Sequence, residues 1–203
     1  MKLYYAKGTA ALPVHIALEE IGAPYEAKLL DFSKAEQQSP EYLKINPKGR
    51  VPALEVSGGV LTEALAILTY LAQRFPEASL APLDPFGLAR AQAFNAYLAS
   101  TVHVAHAHRL RGARWADDAS AHEAMRAKVT ENMTDCAKVI EAHYFDGPWV
   151  LGEKFSICDP YLFTIVRWMP ADGVDMSAFT KLTAHTEAMM QRPAVQRIVA
   201  LHS

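Results

Sequence analysis

The sequence predicts an α/β domain followed by an all-helical domain, and three observations carry that expectation. Every strand-like stretch falls before residue 62, the segment from Pro76 to Pro85 holds three prolines without periodicity, and every pattern beyond it repeats at helical spacing.

Lys2 to Tyr5 reads as a short strand rich in Leu and Tyr, broken by Gly8 and Thr9. Val14, Ala17, Leu18 and Ile21 then fall at i, i+3, i+4 and i+7 of a helix that Gly22 stops. A second strand, Glu26 to Leu30, completes a strand, helix, strand unit. The polar stretch from Asp31 to Gly49 shows no periodic element. Ala53 to Val56 and Val60 to Leu61 flank Ser57-Gly58-Gly59, the pattern of a hairpin with a glycine-bearing turn. Ala64, Ile67, Leu68 and Leu71 form one further helix face, which ends near Phe75 before Pro76.

Residues 1–76 are therefore expected to form the first domain, 77–85 a linker and 86–203 the helical domain. Residues 86–112 and 118–144 read as long helices, the second with Met125, Val129, Met133, Cys136 and Ile140 on one stripe. Shorter helices are expected at 156–169 and 177–191, with a last turn after Pro193.

The 203 residues carry 20 Lys and Arg against 22 Asp and Glu, a formal charge of −2, and 51% are hydrophobic. That balance suits a globular chain of one large domain or two small ones, each burying its own core, and excludes an intrinsically disordered one. Without a Lys/Arg block, nucleic acid is not the expected partner. Cys136 and Cys158 cannot make a disulfide framework, so a reducing compartment is expected. No apolar run approaches the roughly 18 residues of a membrane span. Lys7, Pro13 and His15 interrupt the place of a signal-peptide core, so a soluble, cytoplasmic protein is expected.

Four passages carry more than fold class: Met1-Lys2-Leu3-Tyr4-Tyr5 with Gly8; Asn46-Pro47-Lys48-Gly49-Arg50-Val51-Pro52-Ala53-Leu54; Leu61-Thr62-Glu63-Ala64 with Ile67, Tyr70 and Leu71; and Phe155-Ser156-Ile157-Cys158-Asp159-Pro160-Tyr161-Leu162-Phe163. In these the chain resembles the cytosolic glutathione transferases over essentially its whole length, most closely the bacterial beta class. The resemblance implies a thioredoxin-like first domain and an all-helical second. It also implies transfer of glutathione to small hydrophobic electrophiles, as in detoxification, a homodimer, and no metal or bound cofactor beyond glutathione as cosubstrate.

Each passage has its own physical reading. A proline at Pro52, between a glycine loop and a strand, is either an ordinary trans residue or a cis turn that leaves the backbone of Val51 unpaired and outward. Such an edge can pair with a peptide in β fashion, and the resemblance makes that peptide glutathione. Glu63 and Ala64 open a helix whose free N–H groups and dipole favour an anion. By resemblance they hold the γ-glutamyl end, although Ala64 replaces the family's Ser and loses its hydroxyl. The alternative leaves Glu63 as a plain first-turn acid. Ser156 and Asp159 have capping-box spacing, a folding role.

Thiolate chemistry needs a donor near the first helix, because an unperturbed thiol titrates at about 8.5. By resemblance the beta-class Cys position is Ala10, so that residue is missing. Thr9, directly after Gly8, takes the place of the delta-class Ser and is the expected thiolate donor, with the N-cap of the first helix as its rival role. Tyr5 or Tyr4 could add a phenol, of which alternation lets only one face the site. His103 matches a beta-class active-site histidine, while Val104 and Ala96 replace the Lys and Asn expected around it. His103 and His106 share a helix face, but no Cys or carboxylate lies at matching spacing, so no metal is assigned. Cys136 and Cys158 read as inert packed thiols. The losses at Ala10, Ala64 and Ala96 keep two alternatives in view, a glutathione- or ligand-binding protein without efficient turnover, and a protein-interaction module on the same fold.

Overall fold

The computed structural model describes residues 1–203 and contains four strands and nine α-helices. Strand β1 (Lys2–Tyr5) runs parallel to β2 (Glu26–Leu29) and antiparallel to β3 (Ala53–Val56), which pairs with β4 (Gly59–Thr62) in the order β2-β1-β3-β4. Helix α1 (Leu12–Ile21) makes the crossover that two parallel strands require. It stops at Gly22, whose positive φ of 71° lets its N–H reach the Leu18 carbonyl.

Alternation along β1 decides which helix covers which face. Leu3 and Tyr5 join Val14 and Leu18 of α1 and Ile67 and Leu68 of α3 (Ala64–Arg74) in one core. Tyr4 points the other way, onto Leu30, Ala53 and Tyr42. Tyr42 belongs to α2 (Pro40–Ile45), a helix in the stretch where no element was expected. Its signal is local: the Ser39 hydroxyl accepts the Tyr42 N–H at 3.2 Å, and Pro40 occupies the first helical position.

In the second half α4 (Pro85–Tyr97) is capped by Asp84, which accepts the Gly87 N–H at 2.7 Å. It passes through a π-wound stretch, Leu98–Val102, into α5 (His103–Ala107). The expected helix over 86–112 thus changes winding midway and ends five residues early. Helices α6 (Ala119–His143), α7 (Cys158–Val166), α8 (Thr180–Met190) and α9 (Pro193–His202) follow. The segment after Pro193 is a ten-residue helix and not a turn, because Val195 and Ile198 bury against Leu12 and Ile16 of α1.

The expected box at Ser156 forms, with the regular helix starting two residues beyond it. The buried Asp159 carboxylate accepts N–H groups from Val150 at 2.9 Å and Ser156 at 2.7 Å and the Ser156 hydroxyl at 3.0 Å, and His185 Nε2 lies 3.1 Å away. The expectation of two separate cores is corrected: one cluster of 34 buried residues runs from Leu3 to Leu182 across both halves. At the seam between α1 and α9, Arg192 grips Glu20 with two bonds of 2.7 and 2.8 Å, and Arg197 reaches Glu19 at 2.7 Å. His15 and His202 meet there at 3.0 Å, out of water.

Candidate active site

Between the halves lies an open cleft of about 550 Å³ whose two walls are built differently. The first-domain wall consists of the turn at Gly8–Ala10, the segment Arg50–Pro52 and the start of α3 at Glu63 and Ala64. The Val51–Pro52 peptide is cis. The Arg50 carbonyl takes the Tyr42 hydroxyl at 2.6 Å and Asn46 Nδ2 at 2.7 Å, so the buried Asn46 of the sequence passage anchors this loop from behind. The N–H and C=O of Val51 have no partner within the chain and lie on the cleft.

Glu63 turns the chain into α3 with φ 70° and ψ 120°, a conformation sparsely populated for a residue with a side chain. Its carbonyl accepts the Ile67 N–H at 3.0 Å, while the first-turn N–H of Ala64 stays free. Lys48 Nζ bonds the Thr62 hydroxyl at 2.7 Å and pairs with the Glu63 carboxylate, which is itself solvent-exposed.

Thr9 and Ala10 both line the cleft. The Thr9 hydroxyl donates to the Ala6 carbonyl at 2.7 Å and accepts the Ala11 N–H at 3.3 Å, so its one proton is already committed. The backbone N–H groups of Thr9 and Ala10 have no internal partner. Tyr5 is corrected as a site residue. Alternation sends it to the α1 side, where its ring lies 4.8 Å from His15 and 4.9 Å from His202, outside the cleft.

The helical wall is made of side chains. His103 lines it, and burial together with Arg111 holds its imidazole neutral, with a pKa lowered to about 4. His106 is not free for a metal: Nδ1 sits 2.8 Å from the buried Asp172 carboxylate, and its ring stacks on Trp168 at 4.5 Å. Trp168 in turn donates its indole N–H to the Gly8 carbonyl at 3.2 Å, tying the helical wall to the first-domain turn. Arg111, Arg114 and Trp115 rise from the loop after α5 and complete the wall. Neither cysteine reaches the cleft, and burial pushes both thiols up.

Residues 1–73 match the family description "Glutathione S-transferase, N-terminal domain" and residues 94–193 match "Glutathione S-transferase, C-terminal domain". This chain belongs to the glutathione S-transferase family. It is 31% identical to the Escherichia coli O157:H7 glutathione S-transferase GstA, over 97% of this chain and 96% of that one. Among solved structures, a glutathione transferase homolog from Sulfitobacter with bound glutathione superposes with a TM-score of 0.95 at 46% identity, covering 98% of this chain and 97% of that one. The beta-class Sphingomonas chungbukensis glutathione S-transferase gives 0.86 at 31%, covering 100% and 99%.

Sequence reasoning about this transferase missed the helical wall's Arg111, Arg114, Trp115 and Trp168. A signal existed for the two arginines, since Arg109, Arg111 and Arg114 crowd a stretch that lacks any acid until Asp117.

Proposed function

We propose that this protein transfers glutathione to a small electrophile with an apolar body, with glutathione lying along the first-domain wall. Residues 1–76 act as the glutathione-binding domain, 77–85 as linker and 86–203 as the helical domain. The observation that carries the reading is the set of free backbone groups on one wall: the N–H and C=O of Val51 beside Pro52, the N–H of Ala64, and those of Thr9 and Ala10. A peptide backbone pairs with the first, and the γ-glutamyl carboxylate suits the α3 N-terminus, with Glu63 facing the ammonium. Donors at Thr9 and Ala10 stabilise a thiolate and lower its pKa, doing through the backbone what the hydroxyl of Thr9 is not free to do. His103, neutral at pH 7, offers an N–H and no charge. The Sulfitobacter homolog, with its bound glutathione, supports this reading.

Calorimetric titration with glutathione tests it. Binding is expected in the wild type, weakened about tenfold in Glu63→Ala, the worth of one charged hydrogen bond. No heat at millimolar glutathione would overturn the assignment. A ligand-binding role without turnover is the second reading, favoured by Ala10 and by the committed Thr9 hydroxyl. Binding without any reaction with a chlorinated nitroarene would decide for it.

We also propose a homodimer that pairs the first domain of one copy with the helical domain of another. Leu83, just before α4 and 88% exposed, Phe86 in its first turn, 76% exposed, and Val60 on the edge strand β4 offer apolar surface for it. Sedimentation at the mass of one chain would refute the dimer. The free, buried cysteines support a reducing compartment such as the cytoplasm.

A further inference from the structure

We propose that Arg111 and Arg114 form an anion subsite, so that the electrophile taken by this transferase carries a carboxylate beside its apolar, reactive body. The inference rests on glutathione occupying the first-domain wall and concerns the wall opposite.

Three guanidinium groups, those of Arg50, Arg111 and Arg114, line one cleft. The arginines that pair with acids are elsewhere, at Arg90, Arg109, Arg192 and Arg197. The acid on the cleft surface is Glu63, which pairs with Lys48 and in the proposed site also faces the glutathione ammonium, so it is not the counter-ion of these arginines. Half-burying a cation without a counter-ion is costly, and facing it with like charges adds to the cost. Arg111 bears both costs: burial first and then the facing Arg50 lower its pKa, and Arg114 is lowered by burial, Arg50 and Arg111. An anion bound between Arg111 and Arg114 would offset both costs at Arg111.

Glutathione does not account for all three. Its γ-glutamyl group is a zwitterion matched by Glu63 and the α3 N-terminus, and its thiolate faces Thr9 and Ala10. Only the glycyl carboxylate remains, and Arg50, adjacent to Val51 on the peptide's own wall, is the cation placed for it. Arg111 and Arg114 stand on the other wall with His103, Trp115 and Trp168. An aromatic or alkenyl body suits the indole surfaces, and a carboxylate suits a planar guanidinium fork, which binds it with two parallel bonds.

The loop that presents them is held in place before any ligand arrives. The Arg111 N–H bonds the Ala107 carbonyl at 2.9 Å and the Arg114 N–H bonds the Arg111 carbonyl at 3.0 Å. His122 Nε2 closes on the Ala116 carbonyl at 2.6 Å, and a side chain at Gly112 would come within 2.8 Å of the His122 ring. The two arginines therefore sit on a loop packed directly against α6.

The test is calorimetric and independent of turnover. Glutathione, S-benzylglutathione and S-(4-carboxybenzyl)glutathione are titrated into wild type, Arg114→Gln and the double variant Arg111→Gln/Arg114→Gln. The carboxylated conjugate is expected to bind wild type about tenfold more tightly than the benzyl conjugate, a preference that shrinks with added salt. In the double variant the ratio should fall to about one while glutathione affinity stays within about twofold. The exposed Arg114 can be replaced without disturbing packing, so the single variant, with an intermediate ratio, serves if the double variant melts early. Equal affinity of the two conjugates for wild type would overturn the inference and leave the glutathione site standing. So would glutathione affinity falling in the variants with the ratio unchanged, which would give these arginines to the glycyl carboxylate. Failure of all three ligands to bind would instead remove the glutathione site, and this subsite with it.

Discussion

The two walls of the cleft solve recognition with different parts of the chain. The first-domain wall presents backbone N–H and C=O groups at Thr9, Ala10, Val51 and Ala64, held by buried anchors such as Asn46 and Tyr42. The helical wall presents His103, Arg111, Arg114, Trp115 and Trp168, whose positions depend on how α5, α6 and α7 pack. Backbone groups tolerate side-chain change, so this wall presents its donors with Ala at positions 10 and 64. Side-chain recognition changes with every substitution, so under the proposed function the helical wall is where substrate choice would be set.

The widest test of this contrast asks whether the walls stay together in acid, because both hang on the α1–α9 seam. Burial lowers the pKa of His15 to about 4 and that of His202 to about 3, the latter helped by its neighbour His15. An unfolded histidine titrates near 6.5. Below that pH the unfolded chain binds more protons than the folded one, so stability is complete above pH 6.5 and drains away as pH falls toward 4. Each of the two histidines withdraws roughly 1.4 kcal/mol per unit, about 5 kcal/mol in all by pH 4.5. Urea unfolding at pH 7.0 and 4.5 checks it. A midpoint that does not move would show that the seam carries no such load, and separate transitions for the two halves would break the shared core.

A smaller loss is expected from the support of the helical wall alone. Asp159→Ala leaves the N–H groups of Val150 and Ser156 buried without an acceptor and should cost about 3 kcal/mol. Thermal melting should drop while glutathione affinity per folded molecule is retained. An unchanged melting temperature would deny the box its role.

The smallest effect is expected at the first-domain turn. Thr9→Ala removes the hydrogen bond to Ala6 and the longer one from the Ala11 N–H, together worth about 1–2 kcal/mol of stability, and leaves both backbone donors in place. The pKa of the bound thiol, followed by its thiolate absorbance, should move by less than about half a unit. A rise of one unit or more would return thiolate activation to the hydroxyl.

What could be read from the sequence follows the same division. The cleft's backbone wall was legible because Val51-Pro52 and Glu63-Ala64 form contiguous passages whose geometry is local. The element order was legible too, since Val14 to Ile21 and Ala64 to Leu71 keep strict helical spacing. Tyr5 was misplaced because alternation sends Tyr4 and Tyr5 to the two faces of the sheet, while the cleft opens beyond the end of β1 at Gly8–Ala10 and takes neither ring. Helix α2 was missed in a polar stretch although Ser39 and Pro40 marked its start. The helix after Pro193 was cut short because what sustains it is α1, nearly the whole chain away. Arg111 and Trp168 come together only when loops and helices distant in sequence are packed, and no spacing rule contains that.

The π-wound stretch Leu98–Val102 has a consequence for the length of the chain itself. A π turn amounts to one residue inserted into an α-helix. At 3.6 residues per turn, one residue rotates everything after it by about 100°. His103 and His106 therefore face the cleft on account of a count of residues as much as their identity. A shortening by a single amino acid here would leave every side chain present and turn the imidazoles off the wall, so the length of this segment is a constraint of its own, separate from which residues fill it.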